Sequence, residues 1–254
     1  MRNLSLLLTY LAGTLPQAIA WAAPEPAGTV PVPQQKLPFE DDIIAFEEAD
    51  KKNPPPLGGV LFIGSSNIRM WTTLIQDFPE FNVLNRGFGG SMIENSVDFV
   101  DRITIPYKPR LIVLSAGTND INNNRMPQDV LANFQKYVAK VHAALPKTRI
   151  AFLSINPSRD RLKRPQHVQR VLEANNLIAR WIRENDGKVA LMTFIDTYPY
   201  LLTPEGDPLP DIFLADQHHL NAAGYATLTA LLRPQILALA GVKAGAPKAP
   251  PAIP

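Results

Sequence analysis

Five short apolar runs alternate along the chain with longer segments in which apolar residues recur every three or four positions. The runs occupy residues 59–63, 82–85, 111–116, 150–155 and 189–195, and continuous stretches of this kind mark strands buried on both faces. Val130, Phe134, Val138, Val141 and Leu145 trace one amphipathic helix between them, and Val168, Val171, Leu172, Ile178, Ala179 and Ile182 trace another. A helix is expected over 39–52, because Glu40, Asp41 and Asp42 suit the positive end of a helix dipole and Asn53 followed by Pro54, Pro55 and Pro56 ends it. A last helix is expected over 222–240 with Pro234 inside it, and a shorter one over 68–75.

Alternation of strand and helix at this spacing predicts right-handed βαβ units and a parallel sheet covered by helices on both sides. The expected class is therefore α/β. In such folds a ligand lies outside the carboxyl ends of the strands, so chemistry is sought immediately after each strand.

The ends of the chain differ from its middle. Of 25 prolines in 254 residues, nine lie in the first 56 positions and four in the last eight, and proline-rich segments favour extended, solvated backbone over a packed core. Arg2, an apolar stretch over 4–15 and the small-x-small triplets ending at Ala20 and Ala22 read as a secretory signal over 1–22. Thr9, Gly13, Thr14, Pro16 and Gln17 cut that stretch below the roughly 20 apolar residues of a transmembrane span. The expected organisation is a signal peptide (1–22), a proline-rich linker (23–38), one folded domain (39–242) and a Pro/Ala-rich tail (243–254). The mature protein is then periplasmic or extracellular.

Apolar residues make up 46% of the chain and charged residues 19%, which excludes a disordered polyelectrolyte. A formal net charge of +2, without a basic run, gives no electrostatic case for a nucleic-acid partner. The absence of cysteine removes disulfides, thiolate metal sites and a thiol nucleophile together.

Four segments after the strands carry polar residues that plain turns do not need. The first strand runs into Gly64, Ser65 and Ser66, where a hydroxyl at a strand-to-helix elbow sits beside free backbone N–H groups. One of the two serines can serve as a nucleophile and the other as a helix cap, and spacing alone does not choose between them. The second segment, 85–91, holds Gly87, Gly89 and Gly90; Met92 occupies the position where a dinucleotide fingerprint needs its next glycine, so that reading fails. The third contains Gly117, Thr118, Asn119 and Asp120, whose amide can donate to an oxyanion or build a turn. In the fourth, Asp216 stands three positions before His219, close enough to fold back onto its Nδ1–H and leave Nε2 free to take a proton. A metal site built on Asp216, His218 and His219 is the rival for this segment. His142 and His167 fall in helical segments and read as surface or boundary residues.

These four segments, in this order over about 58–239, resemble the SGNH hydrolase superfamily, the GDSL-type esterases and lipases. The resemblance implies a three-layer α/β/α sandwich around a parallel sheet of about five strands, flavodoxin-like in outline. It implies Ser66 as nucleophile, His219 as general base and Asp216 as its orienting partner. An oxyanion hole follows from the Ser66 N–H, the Gly90 N–H and the Asn119 side chain. Ser65 stands where the family usually has Asp, and Gln217 and His218 replace a common Gly-Leu pair. The expected activity is hydrolysis of carboxylic esters through a serine acyl-enzyme without a cofactor. Its substrate is a small-molecule, lipid or acetylated-glycan ester. The alternatives are the metal-dependent hydrolase above and an exported glycan-binding module that has lost catalysis.

Overall fold

The computed structural model describes residues 37–185 and 191–241. The expected signal segment, almost all of the linker and the tail lie outside the described residues. Five parallel strands form one sheet: β1 (Val60–Gly64), β2 (Val83–Gly87), β3 (Leu111–Ser115), β4 (Arg149–Leu153) and β5 (Met192–Ile195), in the order β2-β1-β3-β4-β5. Every pairing is parallel.

Successive side chains of a strand point to opposite faces, and the core divides accordingly. Leu61, Ile63, Ile112, Leu114, Ile150 and Phe152 enter one apolar cluster, and Val60, Phe62, Leu111, Val113, Ala151 and Leu153 enter a second. The first cluster is completed by α1 (Glu40–Lys52), α4 (Ile93–Asp98), α5 (Val100–Ile103), α7 (Pro127–Ala144) and α8 (Pro165–Asn185). The second is completed by α2 (Ser66–Arg69), α3 (Leu74–Asp77) and α9 (Ala222–Leu239). This is the expected three-layer α/β/α sandwich. Burying strands on both faces is what makes β1 and β3 read as unbroken apolar runs in the sequence.

The chain runs from β1 outward to β2 and then crosses back to β3, so the connection changes direction between β1 and β3. A crevice opens at the carboxyl ends of the strands at such a point. Ser66 follows β1, and α6 (Thr118–Asn122), which carries Asn119, follows β3.

Several boundaries differ from the sequence expectation. The segment expected as one helix over 68–75 is two, α2 and α3, separated where Trp71 turns inward. Its indole is fully buried against Phe62, Phe78 and Tyr225, and its Nε1–H donates to Asp77 at 2.6 Å. Burial of that large ring overrides continuation of the helix. The strand expected from Val189 is observed from Met192, residues 186–190 lying outside the described set. Helix α9 continues through Pro234. No described helix is long and apolar enough to cross a membrane.

Candidate active site

The elbow after β1 is set by Gly64. Its φ is +146°, and a Cβ there would come within 2.0 Å of the Ser115 carbonyl oxygen, so only glycine lets β1 finish this close to β3. The Ser65 N–H donates to that same Ser115 oxygen at 3.1 Å, and the Ser65 carbonyl accepts from Ile68 and Arg69, opening α2. Ser65 occupies the N-cap position, but its hydroxyl makes no capping hydrogen bond. The capping role expected for its side chain is therefore corrected: main-chain bonds start the helix, and Ser65 is a buried residue.

Two remote groups brace the turn. Asn85 of β2 donates from its amide to the Ile68 carbonyl at 2.7 Å, and the Tyr225 hydroxyl of α9 donates to the Asn67 carbonyl at 2.9 Å. Ser66 begins α2, and its Oγ lies 2.9 Å from His219 Nε2.

His219 comes from the loop before α9. That loop is pinned by the Leu214 N–H donating to the His219 carbonyl at 2.7 Å and by Asn221, whose side chain caps α9 by accepting from Ala223 and Gly224. Gln217 takes a left-handed φ of +58°, which folds Asp216 back on its successors. One Asp216 oxygen accepts the N–H groups of His218 and His219 at 2.9 Å each, and the other accepts the His219 ring Nδ1–H at 2.7 Å. Burial raises the Asp216 carboxyl, and the hydrogen bonds from the His219 ring and the two N–H groups together outweigh it, holding the carboxyl at about 2. Asp216 is thus an anion at neutral pH. It fixes the tautomer in which His219 Nε2 faces Ser66 as an acceptor.

The neighbouring His218 points elsewhere. Its ring lies edge-on to that of His219 at 4.7 Å between centroids, and its Nδ1 lies 3.5 Å from the Asp160 carboxylate without a hydrogen bond. Burial lowers its basicity more than the Asp160 charge restores it. Asp216, His218 and His219 therefore do not converge as the rival metal reading requires. Among the described residues no three His, Asp or Glu side chains are grouped to hold a metal ion.

The loop after β2 holds the second of the expected site residues. Gly90 has φ +83°, a conformation disfavoured for residues with a Cβ. Neither the Ser66 N–H nor the Gly90 N–H has an acceptor among the described residues. Asn119 donates one amide hydrogen to the Ser91 carbonyl at 3.0 Å. A primary amide carries two, and the second remains available. Ser91 is buried and donates to the Phe88 carbonyl at 2.8 Å, while Asp120 accepts the Ile93 N–H through both oxygens at 3.2 and 3.3 Å. Burial is the largest influence on Asp120 and, against the stabilising N–H groups of Ile93 and of Asp120 itself, pushes its carboxyl up to about 6. Chemically, this arrangement provides a hydroxyl hydrogen-bonded to an oriented imidazole.

Sequence reasoning did not single out Asn85, Ser91, Tyr225 or Asp160 as supports of these loops, because each acts across strands or helices distant in the chain. His167, read as a surface or boundary residue, is half-buried beside Arg161, and burial first, then that charge, lowers it to about 4.

Residues 64–227 match the model of the GDSL-like lipase/acylhydrolase family. Among proteins of curated function none matches the sequence. Three solved structures illustrate the fold likeness. A GDSL-like lipase from Bacteroides thetaiotaomicron is 20% identical, with a TM-score of 0.65 over 76% of this chain and 96% of that one. A carbohydrate esterase of family 3 from Talaromyces cellulolyticus is 15% identical, with a TM-score of 0.57 over 72% and 97%. A catalytic mutant of an acetylxylan esterase from Geobacillus stearothermophilus is 15% identical, with a TM-score of 0.55 over 74% and 96%. With the family model covering more than half of its length on the sandwich described above, this chain belongs to the GDSL-like lipase/acylhydrolase family and is a hydrolase of ester bonds.

Proposed function

We propose that the protein hydrolyses carboxylic acyl esters through a serine acyl-enzyme. The observation that carries this reading is the unbroken line of hydrogen bonds from Asp216 through His219 to Ser66, at 2.7 and 2.9 Å. Ser66 Oγ attacks the ester carbonyl carbon as His219 Nε2 takes its proton. The carbonyl oxygen becomes an oxyanion that accepts from the Ser66 N–H, the Gly90 N–H and the free Asn119 amide hydrogen. Donors already aimed there need no reorganisation as charge develops. Collapse of the tetrahedral intermediate breaks the bond to the alcohol, which leaves with the proton held on His219. Water, deprotonated by the same imidazole, then attacks the acyl-enzyme and releases the acid. Asp216 stabilises the imidazolium and keeps its own proton off, as a carboxyl held at about 2 must at neutral pH.

The substrate in this reading is a small or glycan-borne acyl ester or a lipid ester; the fold likeness to carbohydrate and acetylxylan esterases supports including acetylated glycans. The same proposal takes residues 1–22 as an export signal and 39–242 as the catalytic domain, giving a mature chain that starts at Trp21 or at Ala22 to Ala23, in the periplasm or outside the cell. Recovery of exported protein that retains Met1 would contradict this part. For the chemistry, turnover of 4-nitrophenyl acetate is expected to stop after treatment with a serine-directed organophosphate and to survive exhaustive chelation. Loss on chelation with recovery on adding zinc or manganese would favour a metal-activated water instead.

A further inference from the structure

At the end of α6, the helix that carries Asn119, lies an open cleft of about 540 Å³ that the chemistry above does not use. Its walls come from the end of α6 and the start of α8, and include Asn122, Asn124, Arg164, His167 and Arg170. One relationship ties it to the reacting centre. Asn119 and Asn122 stand three positions apart on α6 and so share a face of that helix.

The cleft has an unbalanced charge. No Asp or Glu is among the residues that line it. Neither the Arg164 nor the Arg170 guanidinium has a hydrogen bond or ion pair among the described residues. Nearby carboxylates are engaged: Asp160 pairs with Arg161, Glu94 with Arg125, and Glu173 accepts from Gln128. His167, lowered to about 4 by burial, adds no charge at neutral pH. Arg164 is exposed and Arg170 half-buried, and buried or half-buried arginines elsewhere are paired: Arg86 with Asp50, Arg102 with Glu40 and Glu47, Arg233 with Glu80. Two guanidiniums without a partner among the described residues line one concave wall; each presents the planar set of donors that suits a carboxylate or phosphate, and a concave site of one sign concentrates its field.

We propose that Arg164 and Arg170 bind an anionic group carried by the ester substrate outside its scissile bond, making this an esterase selective for acidic esters. The inference rests on the serine-esterase reading above and deepens it by naming a substrate class. Anchoring a remote charge contributes to ground-state and transition-state binding alike, so its loss appears mainly in KM.

The test compares a neutral ester, 4-nitrophenyl acetate, with two carboxylate-bearing esters. 3-Acetoxybenzoate carries the charge on the alcohol side, and the 4-nitrophenyl monoester of succinic acid carries it on the acyl side. For one or both anionic esters, kcat/KM is expected to fall at least about 10-fold in Arg164→Gln/Arg170→Gln, chiefly through KM. The neutral ester is expected to react at an unchanged rate, and the Lys/Lys variant to recover part of the loss. Unchanged neutral turnover also shows that the variant is folded. The side on which the preference appears identifies which part of the substrate the cleft holds. Equal behaviour of the double variant and the wild type toward both anionic esters overturns the proposal while leaving the esterase reading intact. Absence of turnover of all three esters by the wild type overturns the esterase reading itself. As a readout independent of turnover, benzoate is expected to bind Ser66→Ala calorimetrically and not to bind that variant carrying both Arg→Gln changes; equal binding to the two counts against the cleft.

Discussion

Asn119 spends one of its amide hydrogens on the Ser91 carbonyl, at 3.0 Å, and so cannot rotate freely. The bond crosses from the loop after β3 to the loop after β2. It links two of the proposed oxyanion donors, because Ser91 directly follows Gly90. Removing the amide therefore removes a donor and loosens another. Asn119→Ala is expected to lower kcat roughly 100-fold to 1,000-fold, with little change in KM, since the donor acts on charge that develops only in the transition state. Steady-state kinetics on 4-nitrophenyl acetate check this, and a rise in KM with kcat preserved would place Asn119 in ground-state binding instead.

Asp120 gives the same pair of loops a pH dependence. Its carboxyl moves from 3.8 to about 6 on folding, with burial the main cause. The folded state then binds a proton more tightly than the unfolded state, so stability from this group is greatest below about pH 4 and is lost as pH rises through about 6. At about 1.4 kcal/mol per unit, the loss amounts to about 3 kcal/mol. Asp120→Asn keeps an oxygen for the Ile93 N–H and removes the titration. The stability of the variant relative to wild type is expected to rise between pH 4 and pH 7 in denaturant melts. A difference that stays flat across that range would mean Asp120 does not titrate there.

Trp71 supports the proposed nucleophile from behind. It packs against Tyr225, whose hydroxyl holds the Asn67 carbonyl, and is fully buried. Trp71→Ala is expected to cost about 3 to 5 kcal/mol of stability through the cavity it leaves. Trp71→Phe is expected to keep the fold and lower kcat more than it changes KM, because the turn carrying Ser66 loses its backing. Urea melts alongside kinetics separate the two effects, and unaltered kinetics in a folded Trp71→Phe chain would show the turn to be self-sufficient.

What the sequence made legible follows from where the determining interactions lie. Strands such as β3, buried at all five positions, announce themselves because both faces of the sheet are covered. The break between α2 and α3 does not, since it depends on Trp71 finding Phe62 and Phe78 in the core. Asp216 and His219 could be paired on paper because three residues separate them, whereas the neighbours Ser65 and Ser66 could be distinguished only through resemblance. In the structure Ser66, whose partner is 153 residues away, faces His219. The packing of the His218 ring on that of His219 was hidden, as was the shared cleft of Asn122, Arg164 and Arg170, which depends on α6 lying against α8.

The proposed chemistry depends most directly on which hydroxyl forms the covalent bond. A fluorophosphonate probe, followed by proteolysis and mass spectrometry, is expected to place a single adduct on Ser66 in step with loss of turnover. Ser66→Ala is expected to take no label and to lose nearly all activity. Ser65→Ala, whose backbone bonds to Ser115, Ile68 and Arg69 are unaffected by the change, is expected to label and turn over much as wild type does. An adduct on Ser65, or turnover that persists in Ser66→Ala, would contradict the hydrogen-bonded line from Asp216 to Ser66 as the catalytic machinery.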